Sequence, residues 1–300
     1  MKKEKVIVIL GLTATGKSDL AVALAKKYDG EVISADSRQV YKGLDIGSGK
    51  ITKKEMFGIP HHLLDVASPK RKFTVAEYQK IAMYTIADII KKGRVPIICG
   101  GTGFYIDAVT RGVVFPEVPP NLKLRKTLDT KTAEQLFKIL RVLDTARADS
   151  IDSKNKVRLI RAIEIAKALG KVPKIKEVSS KYDFIKIGLH LPENKLKEKI
   201  KTRLDKRIKI GMLREAQKLH EQGLSWKRME ELGLEYKYMA LYLQNKISKQ
   251  EMVEKLNLEI CRYAKRQMTW FKRDKEIKWF PATRSCASYI RKSLGIWRQL

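Results

Sequence analysis

Apolar residues along this chain recur at two spacings, and the alternation between them lays out the elements. Residues 6–10 (VIVIL) form an unbroken, β-branched run, the pattern of a strand buried on both faces of a parallel sheet. Residues 18–27 follow, with Leu20, Ala21, Ala23, Leu24 and Ala25 suited to a helix. Residues 31–35 (EVISA) predict a second strand. Residues 73–92 predict a helix opened by Thr74, with Glu77 three positions on in a capping-box pattern, and closed by Gly93. Residues 95–99 (VPIIC) predict a third strand, which runs into Gly100-Gly101-Thr102-Gly103. Strand and helix alternate, so the pattern predicts an α/β unit on a parallel sheet.

Three prolines within residues 115–120 (FPEVPP) mark a hinge. The pattern is then helical over residues 122–169, returns to a strand at 184–191, and gives long basic helices at 193–222 and 249–272. A short strand at 278–280 and a helix at 285–294 complete the chain. The expected layout is a core from residues 1–118, an inserted helical domain over 119–180, and the rest of the core with C-terminal helices over 181–300.

Charge changes this picture. The 300 residues carry 63 Lys+Arg against 33 Asp+Glu, a net of +30. Residues 1–120 hold 19 basic and 12 acidic side chains, whereas residues 121–300 hold 44 and 21. An excess of that size, concentrated after the hinge, implies a polyanionic partner; solvated decoration is the plainer alternative. The three cysteines are scattered and include no CxxC pair, so a reducing cytoplasm is expected and a disulfide framework or zinc ribbon is not. The apolar opening is too short for a membrane span and leads straight into a loop, so neither an anchor nor a signal peptide is expected.

That loop is the strongest chemical signal. Gly11-Leu12-Thr13-Ala14-Thr15-Gly16-Lys17-Ser18 fits G-x-x-x-x-G-K-[ST] between a predicted strand and a predicted helix. Successive backbone N–H groups and the helix N-terminus surround a phosphate chain there, Lys17 adds a point charge, and Ser18 can ligate magnesium. The motif reads a diphosphate, in ATP or in another compound. No Asp follows an apolar strand in the manner of a hydrolysing nucleotidase. The carboxylate that does follow a strand is Asp36, placed to be a magnesium ligand, a general base or a solvated cap.

The ordered segments GLTATGKS, ISADSRQVYKGLDIGSGK (33–50), PHHLLDVASP (60–69), GGTGFYI (100–106), RLIRAIEI (158–165), GLEYK (233–237) and YAKRQMTWF (263–271) resemble the landmarks of the tRNA dimethylallyltransferase family, also called tRNA isopentenyltransferases. The resemblance runs over nearly the whole chain. It implies a core like that of P-loop nucleoside kinases and an inserted helical domain for the anticodon stem-loop. It also implies transfer of a dimethylallyl group from dimethylallyl diphosphate to N6 of the adenine 3′ of the anticodon, assisted by magnesium. By that resemblance Asp36 is the base, Thr13 helps hold the diphosphate and reacting carbon, and Arg203 and Arg207, at i and i+4, add cations around the diphosphate. It places Asp36, Ser37, Arg38, Gln39, Thr102, Lys123, Val157, Arg158, Leu159, Ile160 and Arg161 near tRNA, with residues 233–237 and 265–267 as further candidates. About one helical turn is missing before Gly211 relative to many relatives. His61 and His62 are expected to be packed at a strand entry. A bacterial-type monomer is expected.

Three other readings compete. A prenyltransferase for free adenine nucleotides would need neither the insertion nor its charge. A small-molecule kinase would need an arginine lid for ATP, and a non-catalytic RNA-binding module would need neither the intact phosphate loop nor Asp36.

Overall fold

A computed structural model describes residues 3–174, 176–282 and 286–295. The first run of elements is β1 (Glu4–Gly11), α1 (Lys17–Lys27), β2 (Gly30–Ala35), α2 (Lys53–Met56), β3 (His61–His62), α3 (Val75–Lys91), β4 (Val95–Gly100) and α4 (Gly103–Thr110). The middle run is β5 (Val113–Val114), α5 (Leu122–Asp129), α6 (Ala133–Leu143), α7 (Thr145–Ser150), α8 (Lys156–Leu169) and β6 (Lys176–Glu177). The last is β7 (Tyr182–His190), α9 (Glu193–Lys209), α10 (Met212–Glu221), α11 (Trp226–Leu232), α12 (Leu234–Leu243), α13 (Lys249–Phe271), β8 (Lys278–Pro281) and α14 (Ala287–Leu294). The first and last runs form one compact unit, and Val113–Val178 forms a second. The proline-rich segment 115–120 thus lies inside the second unit rather than at its border.

The first unit is an α/β sheet of order β3-β2-β4-β1-β7-β8, and every pairing in it is parallel. Both faces are covered, which is why the strands read as continuous apolar runs. Val6, Val8 and Leu10 join a core with α3, α4 and the helices from α9 to α13. Ile7 and Ile9 turn the other way, onto α1 and α14. From β1 the chain crosses to β2 on one side and later fills β7 on the other. The carboxyl ends of β2, β4 and β1 therefore open on the crevice where parallel α/β sheets bind ligands.

Thr74 caps α3 with its full capping box. His62 pairs with buried Glu31 at 2.6 Å, and His61 bonds the Ile59 carbonyl, so both belong to the sheet edge. The basic run 193–222 is two helices, because the chain turns at Gly211 in the left-handed region (φ 108°). Helices α4, α11 and α12 carry no clear period in sequence; α12 reads LEYKYMALYL, apolar on most sides. Ser285, expected to start the last helix, lies outside the described residues.

In the second unit the helical stretch divides into four helices. Each helix begins at an N-cap whose side chain takes a backbone N–H: Asn121, Thr132, Asp144 and Asn155. Its core is Leu128, Leu136, Leu140, Leu159, Ile160 and Ile163, and β5 pairs antiparallel with β6.

Candidate active site

The phosphate loop leaves β1 and closes on itself. The Leu12 carbonyl accepts from the Thr15 hydroxyl at 2.8 Å and from the Lys17 ammonium. Leu12 and Thr15 are both buried, so their side chains shape the loop. Among the described residues, the backbone N–H groups of residues 14–18 find no protein acceptor. They form a concave row of donors at the start of α1, an anion cradle by construction. Gly16, in the middle of the row, is the N-cap of α1 in the left-handed region, and Ser18 is exposed on the first turn.

Asp36 follows β2 beside this loop. Its Oδ1 accepts from the N–H groups of Arg38 (2.8 Å) and Gln39 (3.3 Å). The capping role is therefore real, but for one oxygen alone; Oδ2 takes no hydrogen bond from the described residues. Thr102 holds the neighbours of Asp36: its N–H donates to the Ala35 carbonyl at 3.1 Å, and its hydroxyl accepts from Ser37 N–H at 3.0 Å. Arg38 is spent on the Leu232 carbonyl and on Ser37. Gln39 accepts from Ser34 and reaches the Gly49 carbonyl.

The segment 45–50 (DIGSGK) is strapped down by the C-terminal helices. One carboxylate, Glu215, accepts the N–H groups of Asp45, Ile46 and Gly47 and the hydroxyl of Tyr236 at 2.8 Å. Arg203 donates to the Gly49 carbonyl at 3.1 Å, and Arg207 to the Gly47 carbonyl at 2.7 Å. Arg207 is buried, and its other terminal nitrogen pairs with Glu235 at 2.9 Å. Expected beside the diphosphate, Arg207 is instead committed to the protein, because a buried guanidinium needs a carboxylate partner. Arg203 makes no ion pair among the described residues, and neither does Lys17.

These charges act on one another. Burial pushes the Lys17 ammonium down to about 8; the Arg203 cation adds to the shift, and Asp36 opposes it. Burial also lowers Arg203, with Arg207 next in effect, while Glu235 and Asp36 support its charge. Two cations without counterions thus border a cradle of N–H donors and a carboxylate with one open oxygen. Such an arrangement binds a polyanion and accepts a proton next to it.

The IPP transferase family model matches residues 39–274 of this chain. The chain belongs to the IPP transferase family. It is 45% identical over 276 residues to tRNA dimethylallyltransferase 2 of Treponema denticola, covering 90% of this chain and 92% of that protein. It is 41% identical over 285 residues to the tRNA dimethylallyltransferase of Anoxybacillus flavithermus, covering 93% and 91%. The crystal structure of a tRNA isopentenylpyrophosphate transferase from Bacillus halodurans superposes with a TM-score of 0.73 at 35% identity, over 98% of this chain and 95% of that one. A eukaryotic dimethylallyltransferase acting on tRNA superposes with a TM-score of 0.78 at 25% identity, over 97% and 77%.

Within this family member, the residues expected near tRNA divide. Lys123, Val157 and Arg158 are exposed on α5 and α8. Leu159 and Ile160 are buried in the second unit's core, because they lie on the inner face of α8; they hold that helix and do not present side chains to a partner. Arg161 is tied to Glu164 and to the Val118 carbonyl. Glu164 is buried, and burial alone would raise its carboxyl. Arg125, the Asn121 N–H and Arg161 outweigh that and hold it at about 2.

Of the further candidates, Lys265 and Arg266 are exposed, whereas Gln267 is buried and bonded to the phosphate loop. A signal for it exists in the sequence. Residues 252, 256, 260, 264, 267 and 271 are the buried stripe of α13, and a glutamine in such a stripe has to bond something. Glu215 and Glu235 carry no comparable mark.

Proposed function

We propose that this chain transfers a dimethylallyl group from dimethylallyl diphosphate to N6 of the adenine 3′ of a tRNA anticodon. The observation that carries the reading is the counterion-free pair Lys17 and Arg203 around the donor row 14–18, with Asp36 alongside. The diphosphate of the donor lies on those N–H groups, with Thr13 at the loop tip beside the reacting carbon. The adenine amine is a weak nucleophile, since its lone pair is delocalised into the ring. Asp36 Oδ2 accepts its proton as N6 bonds to C1 of the prenyl group; the C1–O bond breaks, and the electron pair leaves on the diphosphate. Lys17 and Arg203 stabilise the charge that develops there. The exposed cations of the second unit, Lys123 and Arg158 among them, engage the phosphate backbone of the stem-loop.

A magnesium ion fits this donor set. No group of three His, Cys, Asp or Glu side chains suited to a metal occurs among the described residues, and magnesium characteristically keeps several waters and takes phosphate oxygens instead. Ser18 would hold it. When bound, it neutralises charge on the leaving diphosphate.

Asp36→Asn tests the reading, because an amide keeps the hydrogen bonds of Oδ1 but takes no proton. The transfer step is expected to slow by roughly 10²- to 10⁴-fold, with tRNA affinity nearly unchanged. Near-normal turnover by the variant would rule out the base role.

A further inference from the structure

Gln267 joins two loops that come from different strands. Its Oε1 accepts from Thr13 N–H at 2.9 Å, and its Nε2 donates to the Gly101 carbonyl at 2.9 Å. The orientation of the amide is fixed, since one partner can only donate and the other can only accept. No other uncharged side chain of this length supplies both functions at once. The fit leaves no slack: a Cβ at position 101 would fall 2.3 Å from Nε2. Gln267 is itself 5% exposed, on the core face of α13 between Ala264 and Phe271.

The path continues to the base. Thr102, next to Gly101, grips the chain on both sides of Asp36, at the Ala35 carbonyl and the Ser37 N–H. Four hydrogen bonds therefore connect the tip of the phosphate loop to the residues flanking Asp36, and Gln267 supplies the first two. Tyr263, one turn earlier on α13, points its hydroxyl at the same Gly101 carbonyl at 3.4 Å.

We infer that Gln267 is a positioning residue for the transfer, fixing the distance between the loop that holds the leaving group and the loop that holds the base; this rests on the function proposed above. A displacement needs the amine, the allylic carbon and the departing oxygen in line. An error of about 1 Å in their placement is enough for a roughly 10²-fold loss of rate. Each substrate still binds to its own loop when the tie is cut. Losing the tie therefore harms the chemical step and spares both affinities.

The test measures single-turnover prenylation of tRNA with both substrates saturating, together with the separate affinities for dimethylallyl diphosphate and tRNA. Gln267→Met keeps length and burial but neither donates nor accepts in the same way. It is expected to lower the single-turnover rate roughly 10²-fold and to leave both affinities nearly unchanged. Gly101→Ala reaches the same bond from the other side without altering α13, and is expected to show the same split. It decides the question if the methionine variant fails to fold. A residue with only a packing role predicts a different pattern, in which rate and donor affinity fall together or neither falls. Either result, with an active wild type, overturns the inference alone. A wild type that makes no prenylated adenine refutes the functional reading, and the inference with it.

Discussion

A lysine half-buried beside an arginine, with no carboxylate to pair with, holds its proton less firmly than one in water. Lys17 is in that position, at about 8. A bound diphosphate favours the charged form, so binding of the donor brings a proton back onto Lys17 where the free protein has lost it. Affinity for dimethylallyl diphosphate is then expected to be level below pH 8 and to fall above it, by up to about tenfold per pH unit while one proton is linked to binding. Calorimetric titrations between pH 7 and 9.5 check this. Lys17→Arg, which stays charged, flattens the profile, and a profile equally steep in that variant assigns the proton elsewhere. At this scale the sequence was informative where chemistry follows from a local motif. The G-x-x-x-x-G-K-S loop placed Lys17 and Ser18 directly, and the carboxylate after a strand placed Asp36. It was silent where a role depends on a distant partner. Arg203 and Arg207 look alike in TRLDKRI, but Glu235, far along the chain, makes Arg207 a committed ion pair, while Arg203 has no carboxylate partner among the described residues.

Elements place these residues by tying loops to helices. Strand β1 and helix α1 present the cradle; α9, α10 and α12 grip the segment 45–50 from behind. Gly49 shows how tight that grip is, since a Cβ there would lie 2.0 Å from an Arg203 nitrogen at a φ of 62°. Gly49→Ala therefore carries left-handed backbone strain of roughly 1–2 kcal/mol and also displaces Arg203. Gly58→Ala separates the two effects, because Gly58 has a φ of 79° and nothing within 4 Å of its added Cβ. Both variants are expected to lose similar stability in thermal unfolding, but only Gly49→Ala weakens dimethylallyl diphosphate binding. Equal donor affinity in the two would remove Arg203 from the donor site. Strands and capped helices were legible because β-branched runs and capping boxes act locally. The existence of α11 and α12 was not. Those features are set by which faces the sheet and neighbouring helices bury, and LEYKYMALYL has no period of its own to reveal it.

Two units of different character make up the chain. The first carries the sheet, the cradle and Asp36; the second is a small helical body whose core is the aliphatic set around Leu136 and Ile163, with many lysines and arginines outside it. The charge imbalance was readable from composition, and a polyanionic partner followed from it physically. The identity of that partner did not, since phosphate contacts carry no sequence information. Among the described residues, no helix is long and apolar enough to cross a membrane. In the proposed reaction the phosphate loop holds a prenyl diphosphate rather than a nucleotide to be cleaved. Mass spectrometry of nucleosides tests it most directly, after an unmodified tRNA with adenine 3′ of its anticodon is incubated with the protein, magnesium and dimethylallyl diphosphate. The expected product is an adenosine heavier by one dimethylallyl group in place of one hydrogen, formed without ATP. Unaltered adenosine in that mixture, with ATP consumed when it replaces the prenyl donor, would contradict it.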